Sequence, residues 1–486
     1  MNKAQKHARH LCLFGILLVS AGNAVFGQAV DGAMERTIDA LFSSYNANTP
    51  GVAIAIVKDG KVVLSKGYGS ANLEYGIPIT PRTVFHVASV SKQFTAFSIY
   101  LLEKQGKISF EDDIRKYVPE MPDLGRPVKI RHLLAHTSGI RDQWALLTLA
   151  GWRMDDVITT EHILKILSRQ KELNFEPGTA FSYSNSGYTL LAEVVRRVSG
   201  QTFAAFTRRN IFEPLGMTAT QFYEDFNQIV KNRAYSYEKE NNTYIKKNLN
   251  YSNAGATSLL TTAEDLAKWA LNFEHPVVGD TELIARFNAP SLLDNGQPVV
   301  YAVLEGETNY HGKGQILRNY RGVNLWNHGG HDAGFRAYLV RFPDDRLSII
   351  TLSNDEHYEI LKTGLTIAGY YLKGRLNPRS TPDTPAGPNE ARKTAETRPA
   401  DLKSLEGEFH SQELATTYRA KAAAGKLILM HDRLSDIELS EGAKDTFQGR
   451  IEFLVTVKFT RNSNQMVTGF TLSNFGATAV RFEKLR

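Results

Sequence analysis

Three short segments follow one another along the chain: Ser89-Val90-Ser91-Lys92, Tyr183-Ser184-Asn185 and His328-Gly329-Gly330. A serine hydroxyl is a poor nucleophile at neutral pH and needs a base beside it, donors for the oxyanion and groups that hold the substrate. The three segments contain residue types for each of these tasks. The chemistry they suggest together is acyl transfer through Ser89.

No single segment carries that conclusion. Ser-x-x-Lys also occurs at Ser168 to Lys171 and at Ser236 to Lys239. What distinguishes Ser89 is its setting. Val90, Phe94, Phe97 and Leu101 recur at helical spacing and predict a buried helix with Ser89 at its start. Residues i and i+3 share a helix face, so Lys92 lies within reach of Ser89, and the helix dipole favours negative charge at that end. Lys92 can serve as a base only if it spends time neutral, which burial and neighbouring cations promote.

Tyr-x-Asn likewise has a rival in Tyr251-Ser252-Asn253, which is expected to pack in the core. The turn signal Phe175-Glu176-Pro177-Gly178-Thr179 instead places Tyr183 and Asn185 on a loop end before a helix running from Tyr188. A phenolate held near an ammonium can take the serine proton and pass it on. His328 to His331 should precede a strand starting near Phe335, with glycines that let a substrate lie along the backbone, as in an edge-strand site. Taken singly, it reads rather as a structural histidine satisfied by backbone partners and a simple β-bulge. No metal or cofactor is expected: His328 and His331 lack a third ligand at diagnostic spacing, and His132 with His136 lacks the glutamate of HExxH.

Hairpins must frame these segments. Gly51 to Val57 and Val62 to Gly69 flank Asp59-Gly60, and Phe335 to Phe342 and Leu347 to Ser353 flank Pro343-Asp344-Asp345. One antiparallel sheet would then be closed by both ends of the domain. Thr261 to Glu264 reads as a capping box before a helix, and Leu361, Leu365, Ala368 and Leu372 predict a helix covering the sheet. Five of the 17 prolines lie between Leu376 and Ala400, which marks a linker. From Leu405 onward, short alternating strands predict a small antiparallel β domain.

At 486 residues the chain has room for two or three domains. Its 42% hydrophobic and 22% charged residues are those of a globular protein rather than a disordered or polytopic membrane one. Lys3, Lys6 and Arg9 precede the apolar run Leu11 to Val19, the pattern of a secretory signal, with cleavage expected after Gly27 in preference to Ala24. Without residues 1–27 the formal charge falls from +6 to +3, which is no nucleic-acid signature. The only cysteine, Cys12, goes with the signal. The expected organisation is a signal peptide (1–27), a catalytic domain (28–375), a linker (376–400) and a C-terminal β domain (401–486), in a periplasmic or secreted protein with no stable membrane span.

With Thr83 to Thr95, His132 to Gly139 and Gly329 to Phe335 added, the chain resembles the serine beta-lactamase-related family, the group of class C beta-lactamases, esterases and D-peptidases, over roughly Gly51 to Asn354. The resemblance implies an α+β fold: an antiparallel sheet flanked by helices with a mostly helical insert, followed by a small antiparallel β-barrel. It implies Ser89 as the acylated nucleophile, Lys92 as its activating partner and Tyr183 as general base. Asn185, His328, Gly330 and His331 would bind substrate, with the backbone N–H groups of Ser89 and His331 forming the oxyanion hole. Beta-lactamases and penicillin-binding enzymes usually carry Lys-Thr-Gly or Lys-Ser-Gly where this chain has His328-Gly329-Gly330, so a fixed cation gives way to a ring only partly charged near neutral pH. The substrate expected is therefore a small ester, amide or peptide, including D-amino-acid peptides. A beta-lactam-hydrolysing enzyme and a penicillin-binding sensor that acylates without turnover are the alternatives.

Overall fold

The computed structural model describes residues 31–304, 307–378 and 401–486. The expected signal segment and residues 379–400 of the expected linker lie outside the described residues.

The apolar run after Gly51 builds β1 (Val52–Lys58), and Asp59 and Gly60, with φ of 51° and 77°, turn the chain into β2 (Lys61–Tyr68). Positive φ at both central residues is what a two-residue hairpin matched to strand twist requires. Late in the domain, β3 (Val300–Leu304), β4 (Glu307–His311), β5 (Ile316–Tyr320), β6 (Val323–Asp332), β7 (Phe335–Phe342) and β8 (Leu347–Ser353) follow one another. The β7–β8 hairpin forms around Pro343–Asp345 as expected, with Phe342 opposite Leu347. β1 pairs antiparallel with β8, Val52 opposite Ser353, so both ends of the domain close one sheet of order β3-β4-β5-β6-β7-β8-β1-β2.

Strand alternation divides β1 between two cores: Ala53, Ala55 and Val57 face one apolar cluster, and Val52, Ile54 and Ile56 face the other. Between β2 and β3 the longer elements are helices, among them α1 (Ser91–Lys104), α2 (Gln143–Leu149), α3 (Asn185–Ser199) and α4 (Ala263–Asn272). α5 (Ile360–Tyr371) packs on β7 and β8. α1 is buried on nearly every side and not only along its predicted stripe, of which Leu101 is the one partly exposed member.

Two local expectations shift. The cap of α4 is Thr262, whose Oγ1 accepts from the Asp265 N–H at 3.1 Å, while Thr261 Oγ1 is engaged with Thr220 at 2.7 Å. On α5 the inward residues are Ile360, Gly364, Ile367 and Ala368, and Leu361 is exposed. The reason is Gly364: a Cβ there would stand 2.7 Å from the Tyr338 ring, so the helix approaches β7 along its glycine face.

The C-terminal strands, from Gly407–Ser411 to Val480–Lys484, form a closed eight-stranded antiparallel barrel, sealed where Phe409 pairs with Lys484. Among the described residues no helix is long and apolar enough to cross a membrane.

Candidate active site

Ser89 lies in a single 3-10 turn, Ala88–Val90, that leads into α1. Ala88 holds φ at 46°, a left-handed conformation that costs a residue with a Cβ about 1–2 kcal/mol. The turn leaves Ser89 partly exposed between two buried neighbours. One helical turn on, Lys92 has no exposed surface. Its three donors are all engaged, with Ser89 Oγ at 2.9 Å, Asn185 Oδ1 at 2.8 Å and the Ala256 carbonyl at 2.8 Å. Burial pulls the ammonium down to about 7, against the carboxylates of Asp332 and Asp142. Near neutral pH a large fraction of Lys92 is the free amine, the form that accepts a proton.

Asn185 is the first residue of α3; the helix thus starts three residues before Tyr188. Its backbone N–H and its Nδ2 both donate to Asp142 Oδ2, at 2.6 and 2.8 Å, which turns the amide oxygen toward Lys92. Asp142 is in turn fixed as the cap of α2, its Oδ1 accepting from the N–H groups of Trp144 and Ala145 at 2.8 and 3.2 Å. Tyr183 is hydrogen-bonded to Ser89, and Lys92 Nζ lies 4.9 Å from the centre of its ring. Burial raises the phenol well above its ordinary range, with the Ser89 hydrogen bond opposing. The His136 ring packs 4.3 Å from the Tyr183 ring while its Nδ1 accepts from the Ser184 N–H at 3.0 Å, so His136 fixes the loop that presents Tyr183.

His328, Gly329, Gly330 and His331 lie on β6 itself, not ahead of a strand. β6 pairs with β5 only from Val323 to Asn327, and with β7 as far as Asp332. Among the described residues, the stretch beyond Asn327 thus has one edge without a strand partner: an edge site within an interior strand. That stretch lies against the Ser89 turn, for a Cβ on Gly330 would fall 2.2 Å from the Val87 carbonyl oxygen. His328 is buried, with Nδ1 2.6 Å from the Gly329 carbonyl oxygen. Burial, and secondarily the charge of Lys92, push its ring down to about 3. The expected partly charged ring is therefore a neutral one.

His331 is exposed and lines a cavity of about 840 Å³ with Trp144 and Tyr251 on the catalytic side and Arg450, Glu452 and Phe453 from the barrel. Asp332, beside it, is held by His86 Nε2 at 2.8 Å and by Thr257. The rival motifs are occupied elsewhere. Ser168 bonds the Lys165 carbonyl, Ser236 bonds the Lys247 carbonyl, and Tyr251 stacks on Trp144 at 4.6 Å.

The structure thus brings Ser89, Lys92, Tyr183 and Asn185 together beside the His328–His331 edge, and adds Asp142, the Ala256 carbonyl and His136. Asp142 left one trace in the sequence, an aspartate at a helix N-cap; its contact with Asn185 spans 43 residues and has no local signature. A backbone carbonyl such as that of Ala256 leaves none.

A serine and an asparagine joined through a buried lysine, between an antiparallel sheet and a helical layer, define a serine-hydrolase type of acyl-transfer fold. The chain belongs to the Beta-lactamase family, which matches residues 35–365. It is similar to a D-aminopeptidase of Gluconobacter oxydans (strain 621H), 26% identical over 324 residues that cover 66% of this chain and 58% of that protein. It is also similar to penicillin-binding protein 4* of Bacillus subtilis (strain 168), 29% identical over 352 residues, 68% of this chain and 74% of that one. Among solved structures, the octameric penicillin-binding protein homologue from Pyrococcus abyssi has the same fold over 93% of this chain and 99% of its own, with a TM-score of 0.62 at 23% identity. The D-amino acid amidase from Ochrobactrum anthropi SV3 shares it over 70% of this chain and 97% of its own, with a TM-score of 0.57 at 22% identity.

Proposed function

We propose that the chain is an exported serine hydrolase that takes the acyl group of a small amide or ester onto Ser89 and releases it to water, with D-amino-acid amides and peptides foremost among its substrates. The observation that carries this reading is Lys92, fully buried, 2.9 Å from Ser89 Oγ and held at about 7. Neutral Lys92 takes the Ser89 proton as Oγ bonds to the carbonyl carbon, and the N–H groups of Ser89 and His331 receive the oxyanion. As the bond to the leaving amine or alkoxide breaks, Tyr183 gives it a proton and is reprotonated from Lys92. Water then attacks the acyl-enzyme along the same route.

This assigns proton acceptance to Lys92 and proton donation to Tyr183, in place of a Tyr183 general base. The reasons are that burial keeps the phenol protonated and that Lys92, once neutral, can turn its two N–H groups to Asn185 Oδ1 and the Ala256 carbonyl and leave its lone pair for Ser89 Oγ, 2.9 Å away. The D-aminopeptidase and amidase relatives support an amide substrate, though the chain spans 58% of the Gluconobacter enzyme. A neutral His328 supplies no fixed charge for the carboxylate of a penicillin, which disfavours beta-lactam hydrolysis. The basic start and apolar run of residues 1–27, ahead of a catalytic domain (28–375), support export.

The test is intact-protein mass spectrometry of wild type and Ser89→Ala after exposure to a fluorophosphonate, a penicillin and an activated ester, with turnover of a D-alanine anilide followed alongside. An adduct confined to Ser89 with ester and anilide turnover is the expected result. No adduct on folded wild type overturns the reading, and a lasting penicillin adduct without turnover favours the sensor.

A further inference from the structure

The barrel does more than wall the cleft, because one of its loops touches the group that holds the catalytic lysine in place. The loop Asn474–Thr478 is closed on itself, Asn474 Oδ1 accepting from the Ala477 N–H at 3.0 Å and the Asn474 N–H reaching the Ala477 carbonyl at 2.9 Å. From this rigid turn the Gly476 carbonyl accepts the Asp142 backbone N–H at 2.8 Å and Asn174 Nδ2 at 3.0 Å. Asn174 Oδ1 returns to the loop by accepting from the Thr478 N–H at 2.9 Å. The approach leaves no space for a side chain: a Cβ on Gly476 would stand 2.6 Å from Asp142 Cβ. The φ of Gly476 is not in the left-handed region, so glycine is required there by contact alone.

A continuous chain of contacts therefore runs from the barrel to the nucleophile: Gly476 carbonyl to Asp142, Asp142 to Asn185 at 2.6 and 2.8 Å, Asn185 to Lys92 at 2.8 Å, Lys92 to Ser89 at 2.9 Å. We infer that Gly476 and Asp142 are positioning residues, through which the barrel sets the placement of Asn185 and thereby of Lys92. The inference rests on the serine-hydrolase reading above. It makes the barrel a part of the catalytic machinery's support, independent of any contact with substrate.

The experiment is the rate and pH dependence of Ser89 labelling by diisopropyl fluorophosphonate, a probe too small to need the barrel-lined cavity, in the full chain. The variants are Gly476→Ala, Asn174→Ala and Arg419→Ala, each with its melting temperature. Displacing a positioned group by about 1 Å costs on the order of 10²-fold. Gly476→Ala is expected to label at least about tenfold more slowly, with the midpoint of its pH profile displaced by about half a unit or more as Asp142 and Asn185 move relative to Lys92. Asn174→Ala, which adds no atom, is expected to act in the same direction and decides the matter should the alanine at 476 unfold the chain. Arg419→Ala, on the outer barrel wall, is expected to match wild type. Variants at 476 and 174 that label at the wild-type rate and midpoint overturn the inference. So does a slower rate that tracks a lowered melting temperature with an unmoved midpoint. A wild-type chain that labels nowhere overturns the hydrolase reading itself, and a wild-type adduct separates the two failures.

Discussion

Lys92 Nζ lies 2.8 Å from Asn185 Oδ1, and this contact joins the first turn of α1 to the first residue of α3. The amide oxygen faces the ammonium because the amide nitrogen is already committed to Asp142. Asn185→Ala removes the acceptor without touching Ser89, and acylation should slow by about 10²-fold as Lys92 loses its placement. Asn185→Asp puts a carboxylate against the ammonium and favours its charged form, so the pH midpoint for Ser89 labelling should move to the alkaline side of wild type. A fluorophosphonate labelling series from pH 5 to pH 10, values chosen to bracket the ordinary histidine and lysine ranges, measures both effects.

The pH dependence follows from Lys92 alone. Below about 7 the amine is protonated and cannot accept the serine proton; above it the amine is free. kcat/KM for an activated ester should therefore fall about tenfold per pH unit on the acid side and level off above neutrality. Tyr183→Phe distinguishes the two proton assignments. If Lys92 is the acceptor, the variant keeps the acid limb at the same place. It should lose about 10²–10⁴-fold on an anilide and far less on an activated ester, whose leaving group departs without a proton. A vanished acid limb would return the base role to Tyr183.

At Gly330 the contact is steric. A Cβ 2.2 Å from the Val87 carbonyl oxygen, and 3.1 Å from Ala88 Cβ, would push the free edge of β6 away from the Ser89 turn. Gly330→Ala should destabilise the domain by about 1–3 kcal/mol and, by moving the His331 N–H relative to Ser89, slow acylation by about 10²-fold. Denaturant unfolding and labelling rate together check it, and both should change.

The catalytic-side hairpins were legible because their signals are local. Asp59-Gly60 and Pro343-Asp344-Asp345 are turn residues between apolar runs, and each hairpin formed at the expected turn, the first with a register shift between Ile56 and Val57. Ser89, Lys92, Tyr183 and Asn185 were legible as residue types in an order, although spacing alone left Ser168, Ser236 and Tyr251 as rivals. Tertiary partners decided among them, Lys92 with Ser89 and Asn185 on one side and separate contacts for each rival on the other, and such partners belong to the assembled fold. The same holds for His328, whose type suggests a titrating ring and whose surroundings make it neutral. The phase of α5 depended on Tyr338, a residue on another element that no helical periodicity reports.

The link between barrel and catalytic domain carries the last prediction. Arg141 Nη1 lies 2.7 Å from Glu413 Oε2, with the two side chains 1% and 6% exposed. The same guanidinium donates to Gln170 Oε1 at 2.9 Å and to the Thr478 carbonyl at 2.8 Å. Tyr418 adds a hydroxyl on the Leu149 carbonyl at 3.1 Å, and the barrel's interior is continuous with the core around α1 and α3. A buried charge left without its partner is penalised far more than the pair itself stabilises. Arg141→Ala and Glu413→Ala should each destabilise the chain by about 3–5 kcal/mol, and the double variant by clearly less than the two together, which a double-mutant cycle in denaturant measures. For the same reason removal of residues 401–486 should not yield an intact catalytic domain with an altered substrate range. The truncation strips cover from α2 and takes the Glu413 and Thr478 partners away from Arg141, so its unfolding should lose cooperativity; a truncated chain that unfolds in one sharp transition near the full-length midpoint would show the barrel to be separable.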